Sequence, residues 1–341
     1  MEYLLSEYTA SQRKQLINTK QLYEHYIRQK NRYYRDFNLS MFWKKSGGNE
    51  YLTKQNSITK KTSSLGVRTT ETEKIHSDFI SHKDALKTEL SELEARMEKM
   101  RKLNKIELLG RAPASLIRIY RKINELGLNS KIILIGTNAL YAYESHCGVF
   151  VAEEQLATDD IDLLNKKSKE LSLVFTEVLP GGKLSELLKL IDPSFVQDSD
   201  IPYRFRNKEG MLIELISPIS QKMSFQTYRE DPLFTDIIDL EMEGMQWLEN
   251  SRIFESMVID ETGAFAIIPT IHPLEFAVYK HWLSSRHDRE ILKKQRDFEQ
   301  SRLVTQLIRD YMVDIDTDAE LVSMKHFNRD AINAYRLEMK R

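Results

Sequence analysis

Lys131 to Ile135 (KIILI) constrains this chain more than any other segment, because it is compact, apolar and β-branched and is closed by Gly136. A run without polar alternation reads as a strand buried on both faces. The residues that follow, TNALYAYES, read as a helix start capped by Thr137 or Asn138. A buried strand, a glycine turn and a helix in succession call for a sheet covered by helices. The chain has 341 residues, enough for one large or two medium units with a sizeable core.

Helices are expected on both sides of this strand. Residues 9–37 lack Gly and Pro and place Leu16, Tyr23, Ile27 and Tyr34 at helical spacing, which predicts one long helix. Residues 46–70 turn to Gly, Ser and Thr and read as a loop-rich connector, with a short hairpin formed by Glu50–Leu52 and Ser57–Ile58. Leu86, Leu90, Leu93, Met97 and Met100 then follow the spacing of a helix that packs on another helix, within the chain or across a dimer, and the seam is short for a free coiled coil. A further helix has Pro113 in its first turn and Gly127 to stop it. Leu171–Leu179 and Lys183–Ile191 read as elements flanking a Gly181–Gly182 turn. Hairpins are expected from Pro202–Asn207 with Met211–Ile216 and from Ile253–Ile259 with Ala264–Ile268. From His272 to about Met312 the chain reads as helical, opened by Pro273. The expected organisation is a basic helical arm and connector (1–70), a helical hairpin region (71–128), a mixed-sheet core (129–270) and a helical C-terminal region (271–341), an α+β fold.

The overall charge of −1 names no partner, but its distribution is uneven. Residues 1–70 hold 13 Lys+Arg and 5 Asp+Glu, whereas residues 144–200 hold 5 and 12. One cysteine, Cys147, excludes an internal disulfide and any multi-cysteine metal site, and fits a reducing, cytoplasmic setting. No apolar run is long enough to span a membrane. His272, His281 and His287 have no metal-ligand spacing with Cys147.

Three segments carry chemistry: Gly136-Thr137, then Asp159-Asp160-Ile161-Asp162, then Met211–Ile216 with Glu214. On a strand, Asp160 and Asp162 share a face. Glu214 is the single acid in an apolar strand, where an unpartnered charge is costly. Mg²⁺ or Mn²⁺ would partner all three, since hard cations prefer carboxylate and phosphate oxygens. Gly136, without a Cβ, and hydroxyl-bearing Thr137 would offer backbone N–H groups to phosphate. A second reading pairs Glu214 with Arg204 or Arg206 across the hairpin.

This combination resembles the polymerase-beta-like nucleotidyltransferase superfamily. The stretches GTNALYAYE (136–144) and ATDDIDLL (157–164), with the upstream KTSSLGVRTTETE (61–73), are similar to a bacterial family of nucleotidyltransferase-fold proteins over most of residues 40–300. The resemblance implies a mixed α/β nucleotidyltransferase core and transfer of a nucleoside monophosphate from an NTP to an acceptor hydroxyl of RNA, a protein or a small molecule. It implies that Gly136 and Thr137 contact the triphosphate, that Asp160 and Asp162 bind metal, and that Glu214 binds the catalytic metal and helps deprotonate the acceptor. Toxin-like members carry basic residues on a C-terminal helix, which makes Lys280, Lys293 and Lys294 candidates for the triphosphate. Arg204 and Arg206 are a second candidate clamp, and Arg289, Lys293 and Asp297 are spaced for one helix face, solvated or phosphate-binding. The chain departs from the superfamily in having Thr137 for the usual Ser, a longer interval from Gly136 to Asp160, and Glu214 for Asp. The alternative to an enzyme is a non-catalytic nucleic-acid or protein binding module on the same fold. Its basic arm would interleave Tyr23, Tyr26, Tyr33, Tyr34, Trp43 and Tyr51 with lysines and arginines, either stacking on nucleic acid or packing its tyrosines on the core.

Overall fold

The computed structural model describes residues 3–57, 60–156, 160–165, 184–201, 204–218, 238–240 and 244–340. Thr158, Asp159, Leu171–Leu179, Pro202 and the Gly181–Gly182 turn lie outside the described residues.

A short strand β1 (Ser6–Glu7) leads into α1 (Ala10–Phe37), which begins at a reciprocal cap: Gln12 N donates to Thr9 Oγ1 at 3.2 Å and Thr9 N donates to Gln12 Oε1 at 2.9 Å. The connector expected to be loop-rich is instead a three-stranded antiparallel sheet, β2 (Leu39–Ser46), β3 (Asn49–Asn56) and β4 (Thr62–Val67). Gly47 and Gly48 turn β2 into β3, and the Ser and Thr residues of β4 occupy exposed strand positions rather than loops. α2 (Thr70–Ile106) then returns along α1, burying Leu86, Leu90, Leu93 and Met97 against Leu22, Tyr23 and Tyr26. The seam is therefore intramolecular. Tyr23 donates its hydroxyl to Asn124 Oδ1 at 2.9 Å, and Tyr26 donates to Glu125 Oε1 at 3.1 Å, so these tyrosines of the basic arm pack on the core.

α3 (Ala114–Glu125) follows Pro113 and ends before Gly127. β5 (Ile132–Ile135) has all four side chains buried, each apolar side chain worth roughly 1.5–3 kcal/mol of transfer free energy. After a single 3₁₀ turn (Thr137–Ala139) come α4 (Leu140–Cys147), β6 (Val149–Phe150), which pairs with β1, and β7 (Asp160–Asn165). α5 (Leu184–Ile191), β8 (Val196–Gln197), β9 (Arg204–Arg206), β10 (Leu212–Pro218), β11 (Ile238–Leu240), α6 (Met245–Asn250), β12 (Ile253–Ile259) and β13 (Phe265–Ile271) complete the middle of the chain. Neither side-chain cap expected after β5 forms, since the 3₁₀ turn starts directly from Gly136.

The main sheet runs in the order β12-β13-β5-β7-β10-β9-β8, with β11 also paired to β10. It is mixed: β7 and β10 are parallel, as are β13 and β5, whereas β5–β7, β9–β10 and β12–β13 are antiparallel. α7 (Pro273–Ser285), α8 (Ile291–Tyr311), α9 (Thr317–Ser323) and α10 (Arg329–Met339) follow. Ser301 donates to Ala277 O at 2.7 Å, locking α8 to α7, and Ile332 and Tyr335 of α10 join the same apolar cluster. That cluster extends from Tyr8 to Tyr335. Among the described residues no helix is long and apolar enough to cross a membrane.

Candidate active site

The site is set by strand order. β7 lies between β5 and β10, and the register pairs Asp162 with Glu214 on one side and with Ile135 on the other. Parallel neighbours sit about 4.8 Å apart, so the Asp162 and Glu214 side chains emerge beside each other on one face. These residues are 52 positions apart in sequence, and only the β7–β10 pairing brings them together. Asp160 opens the same strand, opposite Leu212.

Because β5 ends next to Asp162, the chain leaves the sheet at Gly136 directly against the aspartate. Gly136 has φ 72° and ψ −164°, a region essentially reserved for glycine. A Cβ at this position would collide with the Asp162 carboxylate. Glycine is thus required twice, by backbone conformation and by approach. Thr137 is buried, and Gln300 of α8 donates from Nε2 to Thr137 Oγ1 and to Gln155 O, both at 3.2 Å. A hydroxyl that accepts from Gln300 keeps its own hydrogen for donation. Nothing in the sequence marks Gln300, since its partners come from two distant segments.

The hairpin expected between β9 and β10 forms, and it places Arg204 opposite Glu214. Arg204 Nε and Nη2 both donate to Glu214 Oε1, at 3.0 and 2.6 Å. Of the two readings of Glu214, the ion pair is therefore present, and Arg204 holds the carboxylate. Arg206, two residues on, is exposed.

The expected basic ladder takes a different form. α8 begins at Ile291, so Arg289 lies before the helix and is not on one face with Lys293 and Asp297. Asp297 is completely buried and joins two cations: Lys280 donates to Oδ1 at 2.7 Å, and Arg289 donates through Nε to Oδ2 at 2.9 Å. Lys280, a candidate for the triphosphate on sequence grounds, is instead buried, and its ammonium is turned to Asp297 because that carboxylate offsets its desolvation. Burial holds the Lys280 ammonium below the ordinary lysine range, with Asp297 acting in the opposite direction. Lys293 is on the exposed first turn of α8, 3.6 Å from Glu290. On the same helix as Lys280, the Tyr279 phenol is pushed well above its ordinary value by burial, with smaller contributions from the charges of Arg289, Asp297, Arg286 and Asp162.

Like charges directly opposite on neighbouring strands destabilise a sheet unless they are compensated, and Arg204 compensates Glu214. Asp162 and Glu214 thus supply adjacent oxygen donors beside a wall kept clear of a Cβ, a donor set that fits a hard divalent ion. Among the described residues no cluster of three or more His, Cys, Asp or Glu side chains has metal-holding geometry.

A mixed sheet with helices at both ends, acids paired on its central strands and a glycine turn against them defines an α+β fold with a candidate acidic site. The family model for Nucleotidyltransferase matches residues 114–322, more than half of the chain, and the chain belongs to that nucleotidyltransferase family. The matched segment runs from α3 to α9 and so contains Gly136, Asp162, Glu214 and Gln300. No curated protein and no solved structure matches the chain.

Proposed function

We propose that this protein transfers a nucleoside monophosphate from an NTP to an acceptor hydroxyl, using Mg²⁺ or Mn²⁺ held by Asp160, Asp162 and Glu214. The observation that carries this reading is the registered pair Asp162–Glu214 with the Gly136 turn pressed against Asp162. When bound, the divalent ions neutralise the triphosphate and stabilise the charge on the oxygens that attack and leave. Backbone N–H groups after Gly136 take the phosphate oxygens, and Thr137, whose hydroxyl oxygen accepts from Gln300, donates its hydrogen to them. Arg206 and Lys293 are the exposed cations of the candidate set and meet the outer phosphates. Glu214 takes the acceptor proton while Arg204 fixes its carboxylate. The acceptor oxygen forms a bond to the α-phosphorus, the bond from that phosphorus to the bridging oxygen breaks, and pyrophosphate leaves. Positioning and charge stabilisation account for most of the acceleration.

The Arg204–Glu214 ion pair favours one second reading, a non-catalytic binding module in which Glu214 is a structural partner. Incubation with each α-³²P-labelled NTP, Mg²⁺ or Mn²⁺, total RNA and cell lysate separates the two. Label should move to RNA, protein or a small molecule with the parent protein and not with Asp160→Ala/Asp162→Ala. A toxin-like role requires that the labelled acceptor lose its own function. Absence of transfer, with no metal-dependent NTP binding by calorimetry, leaves the binding module.

A further inference from the structure

The transfer site makes no use of the three-stranded sheet β2-β3-β4. This sheet sits where α1 ends and α2 begins. Gln15, Thr19 and Asn104 tie the other end of that helical hairpin to Gly263 of the core. Tyr23 and Tyr26 hold α1 to Asn124 and Glu125, and the Lys122 ammonium lies 6.0 Å from the Tyr34 ring, so the sheet lies just beyond the stretch of α1 that packs on the core. α2 covers one of its faces: the Trp43 ring lies 5.8 Å from His76, Arg68 sits 5.0 Å over Trp43, and Thr72 donates to Val67 O at 2.9 Å.

Strand alternation turns Ser40, Phe42 and Lys44 to the opposite face, where their cross-strand partners are Gln55, Thr53 and Tyr51. This second face is exposed along β2 and β4, with Thr53 buried between them and Tyr51 and Gln55 half-buried. Phe42 is 37% exposed, and Ser40, Lys44, Thr62 and Ser64 are exposed with it. Residues 39–69 contain six Lys+Arg and one acid, Glu50, which is engaged by Arg68 at 2.6 Å. Lysines on the edge strand β2 would by themselves serve to prevent edge-to-edge pairing, but an exposed phenylalanine on the same strand does the opposite.

We propose that this face binds single-stranded nucleic acid, with bases stacking on Phe42 and Tyr51 and phosphates meeting Lys44 and Lys60. The charge is complementary to a polyanion. Aromatic rings on the sheet accept the π-face of any base, while Ser40, Thr62 and Ser64 offer hydroxyls to sugar and phosphate. The surface goes beyond the transfer reaction and does not depend on it, because Asp162 and Glu214 lie in the main sheet.

Fluorescence anisotropy of short labelled RNA and DNA single strands, at low and physiological salt, tests the proposal with the full chain. The parent protein should bind with an affinity that falls as salt rises. Phe42→Ala should weaken binding by about tenfold or more, the loss of one stacked base. Lys44→Glu should weaken it and flatten the salt dependence. Asp162→Asn should bind like the parent even where transfer is lost, which keeps this surface distinguishable from the transfer reading. The proposal is overturned if the parent does not bind, or if Phe42→Ala and Lys44→Glu, shown to be folded by circular dichroism, bind as tightly as the parent. Equal competition by heparin together with insensitivity to Phe42→Ala would reduce the face to plain charge and also overturn it.

Discussion

Gly136→Ala probes the close approach on which the candidate site rests. Alanine at φ 72°, ψ −164° is strained by about 1–3 kcal/mol, and its methyl group must also displace the Asp162 carboxylate, an overpacking penalty of about 1–3 kcal/mol. The expected loss of stability is therefore about 2–6 kcal/mol, measured by urea unfolding at neutral pH. Gly210, in the turn between β9 and β10, separates the two contributions, because it has φ 85° and a methyl group there would meet nothing within 4 Å. Gly210→Ala should lose only the backbone part, about 1–2 kcal/mol. In an Asp162→Ala background the collision disappears, so Gly136→Ala should there lose only its backbone part, leaving a coupling of about 1–3 kcal/mol in the double-mutant cycle. Zero coupling would refute the contact between the turn and the aspartate, and with it the geometric basis of the site.

Asp297→Ala strands the buried Lys280 ammonium and should destabilise the protein by about 3–5 kcal/mol in the same urea assay, whereas Lys293→Ala on the exposed turn should be nearly neutral. Burial holds His146, His272 and His281 below the ordinary histidine value, with Arg252 adding to the effect at His272. The unfolded chain then takes up protons before the folded one, so stability should fall as pH drops below about 6.5, and this fall should be shallower in His281→Leu. Burial pushes the Cys147 thiol up to about 12. Iodoacetamide at neutral pH should therefore leave Cys147 unmodified in the native protein and alkylate it in urea, as followed by mass spectrometry.

Local chemistry by itself determined most of the elements. The Gly- and Pro-free run of residues 9–37, the Leu86–Met97 seam and the apolar KIILI run became α1, α2 and β5, because period and side-chain type act over one or two turns of chain. The acids of the candidate site were legible for the same reason: an isolated carboxylate in an apolar strand stands out in sequence. The β2–β4 sheet was not legible, because Ser, Thr and Gly mark loops and exposed strands alike, and cross-strand pairing with Trp43 and Leu52 decides between them. What each charged side chain meets was decided only by the tertiary structure. Asp162 lies beside Glu214 because β7 and β10 pair in parallel, Glu214 carries Arg204 because β9 pairs on the other side, and Lys280 turns inward because α8 brings Asp297 against α7. A charge responds to whatever lies within a few ångströms, and for these residues those neighbours come from segments up to about fifty positions away, where local pattern carries no information.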